Sequence, residues 1–491
     1  MIDVLQIEKY KENNRIEAKK ALGGLPKSLW ETYSAFANTL GGVILLGVEE
    51  YKDKTLHPVN LPDPEGMVEE FWNIMNHSDK VSVNILSATH VRIEKVNGNR
   101  IILITVPRAE RYERPVYIDK DPYTGSYRRN GEGDYRCTKE EIEAMLRDAV
   151  EKTGDFKVLT HLSPEALAVE TVDRYRDMME ERRPDHPWEQ LLDVEFLKKI
   201  GALGRGEDDT LHPTAAGLLM FGRVDEIVKE FPSYALDYEE YGKGTTGLTE
   251  RITSVSGTWS GNVFDFYCEV RKRLQEDALG LQVDGSDTER AELAEALQET
   301  LQNCLVNADY RGTGGVVIVK RPEQISVSNP GGFRVDLADA KNGGISDPRN
   351  GALARMFHEI QVGDGNGSGI AKLFRTKNGK RTLIPQITES FAPERITVTF
   401  LFDETQKRVS KRAGVKVKAV KVNGRSFAMK QIAKERVIEY LTYHVSADAT
   451  ELVAALSVKS VCMRQCMTEL LAEGLIMVEE GDAGRKYKLK A

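Results

Sequence analysis

Several things are scarce in this sequence, and each scarcity excludes a class of protein. Cysteine is one: there are 5 in 491 residues (Cys137, Cys268, Cys304, Cys462 and Cys466), and no CxxC pair. An odd, scattered set supports neither a disulfide framework nor a zinc site, and most of these thiols read as small core residues. Long apolar runs are also missing. The longest, such as 42–48 and 101–106, have strand length and fall far short of the roughly 18 residues a membrane helix needs. No membrane partner is expected. No GxxxxGK[ST] occurs, which argues against a helicase motor. The first twenty residues have no apolar core behind a basic tip, so they predict no secretory signal and a cytoplasmic protein. Neither sign of charge dominates. A net of −8 gives no global pull toward nucleic acid, so any such attraction must be local.

What is present is ordinary globular material. Apolar residues at 41% and charged residues at 29% supply real cores and argue against disorder, and the length suggests about two to four domains. The expected fold class is α+β multidomain. Over 1–152 the pattern alternates: a helix over 28–40, then strands over 43–48, 81–85, 91–94 and 100–106. Thr138 followed three positions later by Glu141 is a capping box that opens the helix closing this domain. Residues 153–285 read as a connecting region, in which "LHPTAAGLLMFG" carries small residues into an apolar strand. A second α+β unit spans 286–405, with a helix over 291–306. Residues 406–428 form a linker whose stretch 407–425 holds eight basic residues and no acid. The final stretch, 429–491, reads as three helices followed by two β segments about a glycine turn.

Chemistry concentrates in the second unit. Glu299 and Asn303 stand four apart, hence on one helix face about 6 Å apart. An amide oxygen suits Mg²⁺ shared with phosphate, and a carboxylate beside it can orient or deprotonate a water. "SNPGGF" ends a strand in a turn where Gly331 and Gly332 let a flat ring approach, with Asn329 able to hydrogen-bond it. "GDGNGSGI" offers Gly365, Gly367, Ser368 and Gly369 ahead of a helix pattern, as a phosphate cradle requires.

These three elements in this order resemble the GHKL ATPase superfamily. Glu299 and Asn303 match its N-box, and the two glycine stretches match its adenine-contacting and phosphate boxes. More closely, "ETLQNCLVNADY", "SNPGGF", "PRNGALARMF" and "GNGSGI" resemble the divergent subgroup joined to an AlbA/Schlafen-type domain and often labelled RecG-like helicase-related. The resemblance implies a GHKL-type α/β sandwich that binds ATP and Mg²⁺, with weak ATPase activity at most. Asn329 replaces the adenine-contacting Asp of the superfamily, and Asn307 and Ala308 replace a His-Arg pair.

The resemblance extends over the first 150 residues. In Schlafen nucleases of this family a Glu-x4-Glu-x-Lys set and an acid after the next strand gather around metal; Glu12, Glu17 and Lys19 keep that spacing, and Glu49 or Glu50 follows the strand. The alternative is a domain that binds DNA or RNA without cutting it, with Arg128, Arg129 and Arg136 on phosphates. The last 60 residues resemble a winged helix. Its third helix would present Lys459, Arg464 and Gln465 to bases, and its wing would carry Arg485 and Lys486. The sequence as a whole therefore predicts an ATP-binding, DNA-binding regulator and a homo-oligomer. The rival reading is an ATP-gated, metal-dependent nuclease, plausibly serving phage defence.

Overall fold

The computed structural model describes residues 4–77, 79–242, 247–280, 287–322, 324–335, 337, 340, 345–363, 385–391, 393–401, 437–438, 440–441, 446–456, 463, 467–468, 470–471, 475–481 and 484–490. The chain is mixed α/β and multidomain, with several separate sheets. It divides into two compact units, one formed by 1–149 with 418–491 and the other by 150–417.

The first unit is built on a four-stranded sheet. Strand Ile16–Lys19 runs parallel to Gly42–Leu46, which pairs antiparallel with Asn99–Val106, which pairs antiparallel with Val91–Val96. Strand Gly42–Leu46 is apolar throughout because both of its faces are covered. Ile44 and Leu46 join Tyr33, Phe36 and Phe71 on one side, and Leu45 joins Ile7, Ile101 and Leu103 on the other. Helix Ser28–Asn38 ends two residues sooner than the pattern suggests, on the chain reversal at Gly41. That reversal needs glycine twice. Gly41 has φ +70, with the Val106 carbonyl where a side chain would go, and a Cβ at Gly42 would strike the Phe36 ring. Ser34 and Asn38 do more than pack. The Ser34 hydroxyl and the Asn38 amide both donate to the Val116 carbonyl (2.7 and 2.8 Å), and Asn38 also donates to that of Tyr127 (3.0 Å).

Residues 81–85 form no strand; only Val81 makes an isolated bridge, to Ile118. The Tyr33 hydroxyl satisfies this backbone instead, donating to the Val83 carbonyl and accepting from the Ile85 N–H at 3.0 Å each. The helix Lys139–Ala149 begins on the expected capping box, with Thr138 N–H on Glu141 (2.7 Å) and Glu141 N–H on the Thr138 hydroxyl (3.3 Å). At the C-terminal end, Ala447–Asp448, Gly484–Leu489 and Ile476–Gly481 form a three-stranded sheet beside helix Ala449–Leu456. Val437, Leu441, Leu452, Met463, Met467, Leu470 and Ile476 make its core. Lys9 forms an ion pair with Glu451 of this part.

In the second unit six strands lie in the order Leu248–Thr253, Leu236–Tyr241, Val316–Arg321, Gln324–Pro330, Glu394–Leu401 and Pro385–Phe391, with only the Leu236–Tyr241 and Val316–Arg321 pair parallel. The sheet draws strands from both sides of residue 285, and one apolar core runs from Leu159 to Phe400. The stretch read as a connecting region therefore shares sheet and core with the α+β unit that follows it. The apolar run after "LHPTA" is helix Ala215–Phe221 rather than a strand, capped by the Thr214 hydroxyl on Gly217 N–H (3.0 Å). Every residue of it is buried, so the apolar–polar periodicity that would betray a helix is missing.

Candidate functional site

Two sites stand out, one in each unit. In the second unit, helix Asp287–Asn307 sets Glu299, Asn303 and Asn307 on one line at four-residue steps. The Asn303 amide donates weakly to Glu299 (3.5 Å), and the Asn307 amide donates to the Asn303 carbonyl (2.9 Å). The helix ends against residues 349–350. Asn350 donates to the carbonyls of Val306 (3.1 Å) and Ala308 (2.8 Å), and Arg349 donates through Nε to that of Asn307 (3.1 Å). The same guanidinium donates to the Gly332 carbonyl at 2.9 Å. One side chain thus joins the end of the helix to the glycine turn.

Gly331 takes φ +93, and a Cβ there would press on the Arg349 guanidinium. Asn329 is buried at the end of its strand, its amide donating to the Pro330 carbonyl (3.0 Å). Arg349 was not singled out by the sequence pattern, because its partners lie 17 and 42 residues away. Helix Gly351–Glu359 is capped from afar. Asp155 accepts from Leu353 N–H (2.9 Å) and the Thr153 hydroxyl accepts from Gly351 N–H (3.2 Å). Gly365, Gly367, Ser368 and Gly369 lie outside the described residues.

In the first unit the acids of the amino-terminal motif meet. Glu17 accepts from Lys19 Nζ and from Arg129 Nη2, both at 2.8 Å. Arg129 also holds Asp134 (2.9 Å) and donates to the Asn13 carbonyl (2.8 Å), with its side chain 1% exposed. Arg129 is therefore not a phosphate contact; its charge is consumed inside the domain. Burial works against that charge, but Asp134 and Glu17 outweigh it and leave the guanidinium above its ordinary pKa.

Glu12 accepts from Ala18 N–H (2.9 Å). Burial, then the charge of Glu17, pushes its carboxyl up to about 7; Glu50 adds to this, and Ala18 N–H and Arg129 oppose it. Of the two acids after the strand, Glu50 is the one turned inward. Its Oε1 is buried without a hydrogen-bond partner and its Oε2 pairs with Lys54 (3.1 Å), whereas Glu49 pairs with Lys20 (3.0 Å) in solvent. Lys54 also reaches Glu132 (3.0 Å). Neither this lysine nor Asp134, the second partner of Arg129, is revealed by the Glu-x4-Glu-x-Lys spacing. Among the described residues no group of three or more His, Cys, Asp or Glu side chains is placed to hold a metal ion.

The remaining cations divide. Arg128 pairs with Glu141 (2.9 Å), while Arg136 is exposed and touches only the Tyr127 hydroxyl (3.4 Å) among the contacts described. Arg485 and Lys486 lie exposed on the strand Gly484–Leu489. Lys459, Arg464, Gln465 and the basic stretch 407–425 lie outside the described residues.

Residues 12–138 match the family model Schlafen, AlbA_2. The chain carries a Schlafen AlbA_2 domain. Beyond that domain, residues 143–237 match a domain of unknown function (DUF8451), and residues 315–400 match the model described as putative ATP-dependent DNA helicase recG C-terminal. Among solved structures, the chain is similar to the N-terminal domain of a putative ATP-dependent DNA helicase RecG-related protein from Nitrosomonas europaea. The identity is 33%, over 26% of this chain and 85% of that one, with a TM-score of 0.21. The DIP2311 protein of Corynebacterium diphtheriae aligns at 15% identity over 97% of this chain and 95% of its own, with a TM-score of 0.36. No curated protein matches the chain.

Proposed function

We propose that this chain is an ATP-binding, nucleic-acid-binding regulator. A GHKL-type nucleotide site in the second unit controls an AlbA/Schlafen-type domain and a C-terminal winged helix. The observation that carries the reading is the single line from Glu299 through Asn303 and Asn307 to Arg349 and the Gly331–Gly332 turn. That line sets a carboxylate, amides and a glycine turn along one edge, which suits a base at the turn and phosphates toward Asn303. Asn303 would hold Mg²⁺ with the phosphates, and Glu299 would orient a water if ATP is hydrolysed. Asn303→Ala should abolish binding of labelled ATP. Glu299→Ala should keep binding and remove any hydrolysis. Wild-type affinity in both variants would overturn the site.

DNA or RNA is the proposed partner. Arg136, Arg485 and Lys486 are exposed cations suited to phosphates, joined in this reading by Lys459, Arg464 and Gln465. A cytoplasmic location and a homo-oligomer complete the proposal.

A second reading, a metal-dependent nuclease gated by ATP, draws on Glu12 and Glu50. A carboxyl held up to about 7 and an orphaned buried oxygen are both groups that a cation would relieve. It requires Glu17 to exchange Lys19 and Arg129 for the ion, and as the residues stand they do not fit one. In an Asn303→Ala background without nucleotide, Mn²⁺ should raise the melting temperature of this reading's protein, and Glu17→Gln should remove the gain. No shift with Mn²⁺ leaves the binding reading alone.

A further inference from the structure

We infer that Glu389 supplies the base-reading carboxylate of the nucleotide site, at a turn where Asn329 brings only an amide. The inference rests on the nucleotide reading above. Asn329 stands opposite Ile396, and Ile396 stands opposite Glu389, so the three residues form one row across neighbouring strands. Directly paired residues share a face, and strands lie about 4.8 Å apart. Val327, two residues before Asn329, packs in the core with Leu297 and Leu301 of the helix bearing Glu299 and Asn303. Asn329 and Glu389 therefore lie on the face of the sheet that this helix covers.

From there Glu389 reaches the glycine turn. Its Oε1 accepts from Phe333 N–H at 2.8 Å, and a Cβ at Gly332 would collide with the carboxylates of Glu394 and Glu389. The turn is thus bracketed, with acids against Gly332 and the Arg349 guanidinium against Gly331. Asn329 meanwhile donates its amide nitrogen to the Pro330 carbonyl, so that what it can offer a ring donor is a neutral amide oxygen. A carboxylate only accepts hydrogen bonds, and does so more strongly than a neutral amide, so it selects a ring edge that offers donors. The exocyclic amine of adenine is such an edge, and Glu389 accepts from it.

Binding to the full chain is measured for ATP and for purine riboside triphosphate, which lacks that amine. Glu389→Gln should weaken ATP about tenfold while leaving purine riboside triphosphate at its wild-type affinity. Thr388→Ala, an exposed neighbour on the same strand, should bind both ligands as wild type does and so controls for damage to that edge. An equal loss for both ligands in Glu389→Gln would mean that Glu389 acts only by holding Phe333, and unchanged ATP affinity would remove it from the site; either overturns the inference. Failure of the wild type to bind either ligand would overturn the nucleotide reading itself, before any variant is consulted.

Discussion

Arg129 and Arg349 are both buried, and they do different work. Arg129 sits between the carboxylates of Glu17 and Asp134, so its charge balances an acidic cluster that would otherwise repel itself. Arg349 donates to the backbone carbonyls of Asn307 and Gly332, and so joins the end of one helix to a turn 25 residues further along the chain. The AlbA_2 cluster is closed by internal ion pairs. The proposed nucleotide site is shaped by donors that fix backbone, with the Arg349 guanidinium against Gly331 and the Glu389 and Glu394 carboxylates against Gly332. A buried cation by itself does not mark a ligand site; its partners decide which kind it is.

Removing each arginine separates the two cases. Arg129→Met strips Glu17 and Asp134 of their shared partner inside the domain. It should cost about 3–5 kcal/mol, read from denaturant unfolding of the full chain. A loss below about 1 kcal/mol would mean that solvent already screens the cluster. Arg349→Met removes bonds to neutral carbonyls, so a smaller cost of about 1–3 kcal/mol is expected, together with weaker ATP binding. Equal losses for the two variants would mean that the partners of a buried arginine, charged or neutral, do not set its worth.

The acidic cluster also has a pH signature. Glu12 titrates at about 7 in the folded chain against an ordinary 4.5. The folded state therefore holds this proton more tightly than the unfolded state, and its contribution is fully present below about pH 4.5 and lost as pH rises through 7. Because Glu12 is only partly buried, the loss is about 1–2 kcal/mol after screening. Glu12→Gln should flatten that part of the stability profile, and a profile of unchanged shape would place the titration elsewhere. The smallest effect belongs to the exposed cation. Arg136→Ala should leave stability unchanged and lower the salt slope of nucleic-acid binding by about one phosphate contact. A wild-type slope would take Arg136 off the binding surface.

The cluster and the site were legible to different depths. Glu299 and Asn303 can be paired from sequence because four-residue spacing on a helix is itself geometry. The capping box at Thr138 and Glu141 was legible for the same reason. The turn at Gly331 and Gly332 announced itself by residues that only a special backbone requires. Strand 81–85 and the apolar run after "LHPTA" misled because side-chain type was read without its surroundings. One segment is satisfied by the Tyr33 hydroxyl, and the other is a helix buried on every side.

By itself, then, the sequence determined what short range can encode: the helix carrying Glu299 and Asn303, the capping box at Thr138 and Glu141, the acids at Glu12 and Glu17, and the absence of any run long enough to cross a membrane. The tertiary structure decided which charges remained available. Arg129 looked like a phosphate contact and became the counter-ion of Glu17, 112 residues away. Glu389, unremarkable in its strand, was brought to Phe333 across 56 residues. Register between strands and the folding of distant segments onto one another set these partners, and a side chain's charge is worth what its neighbours leave of it.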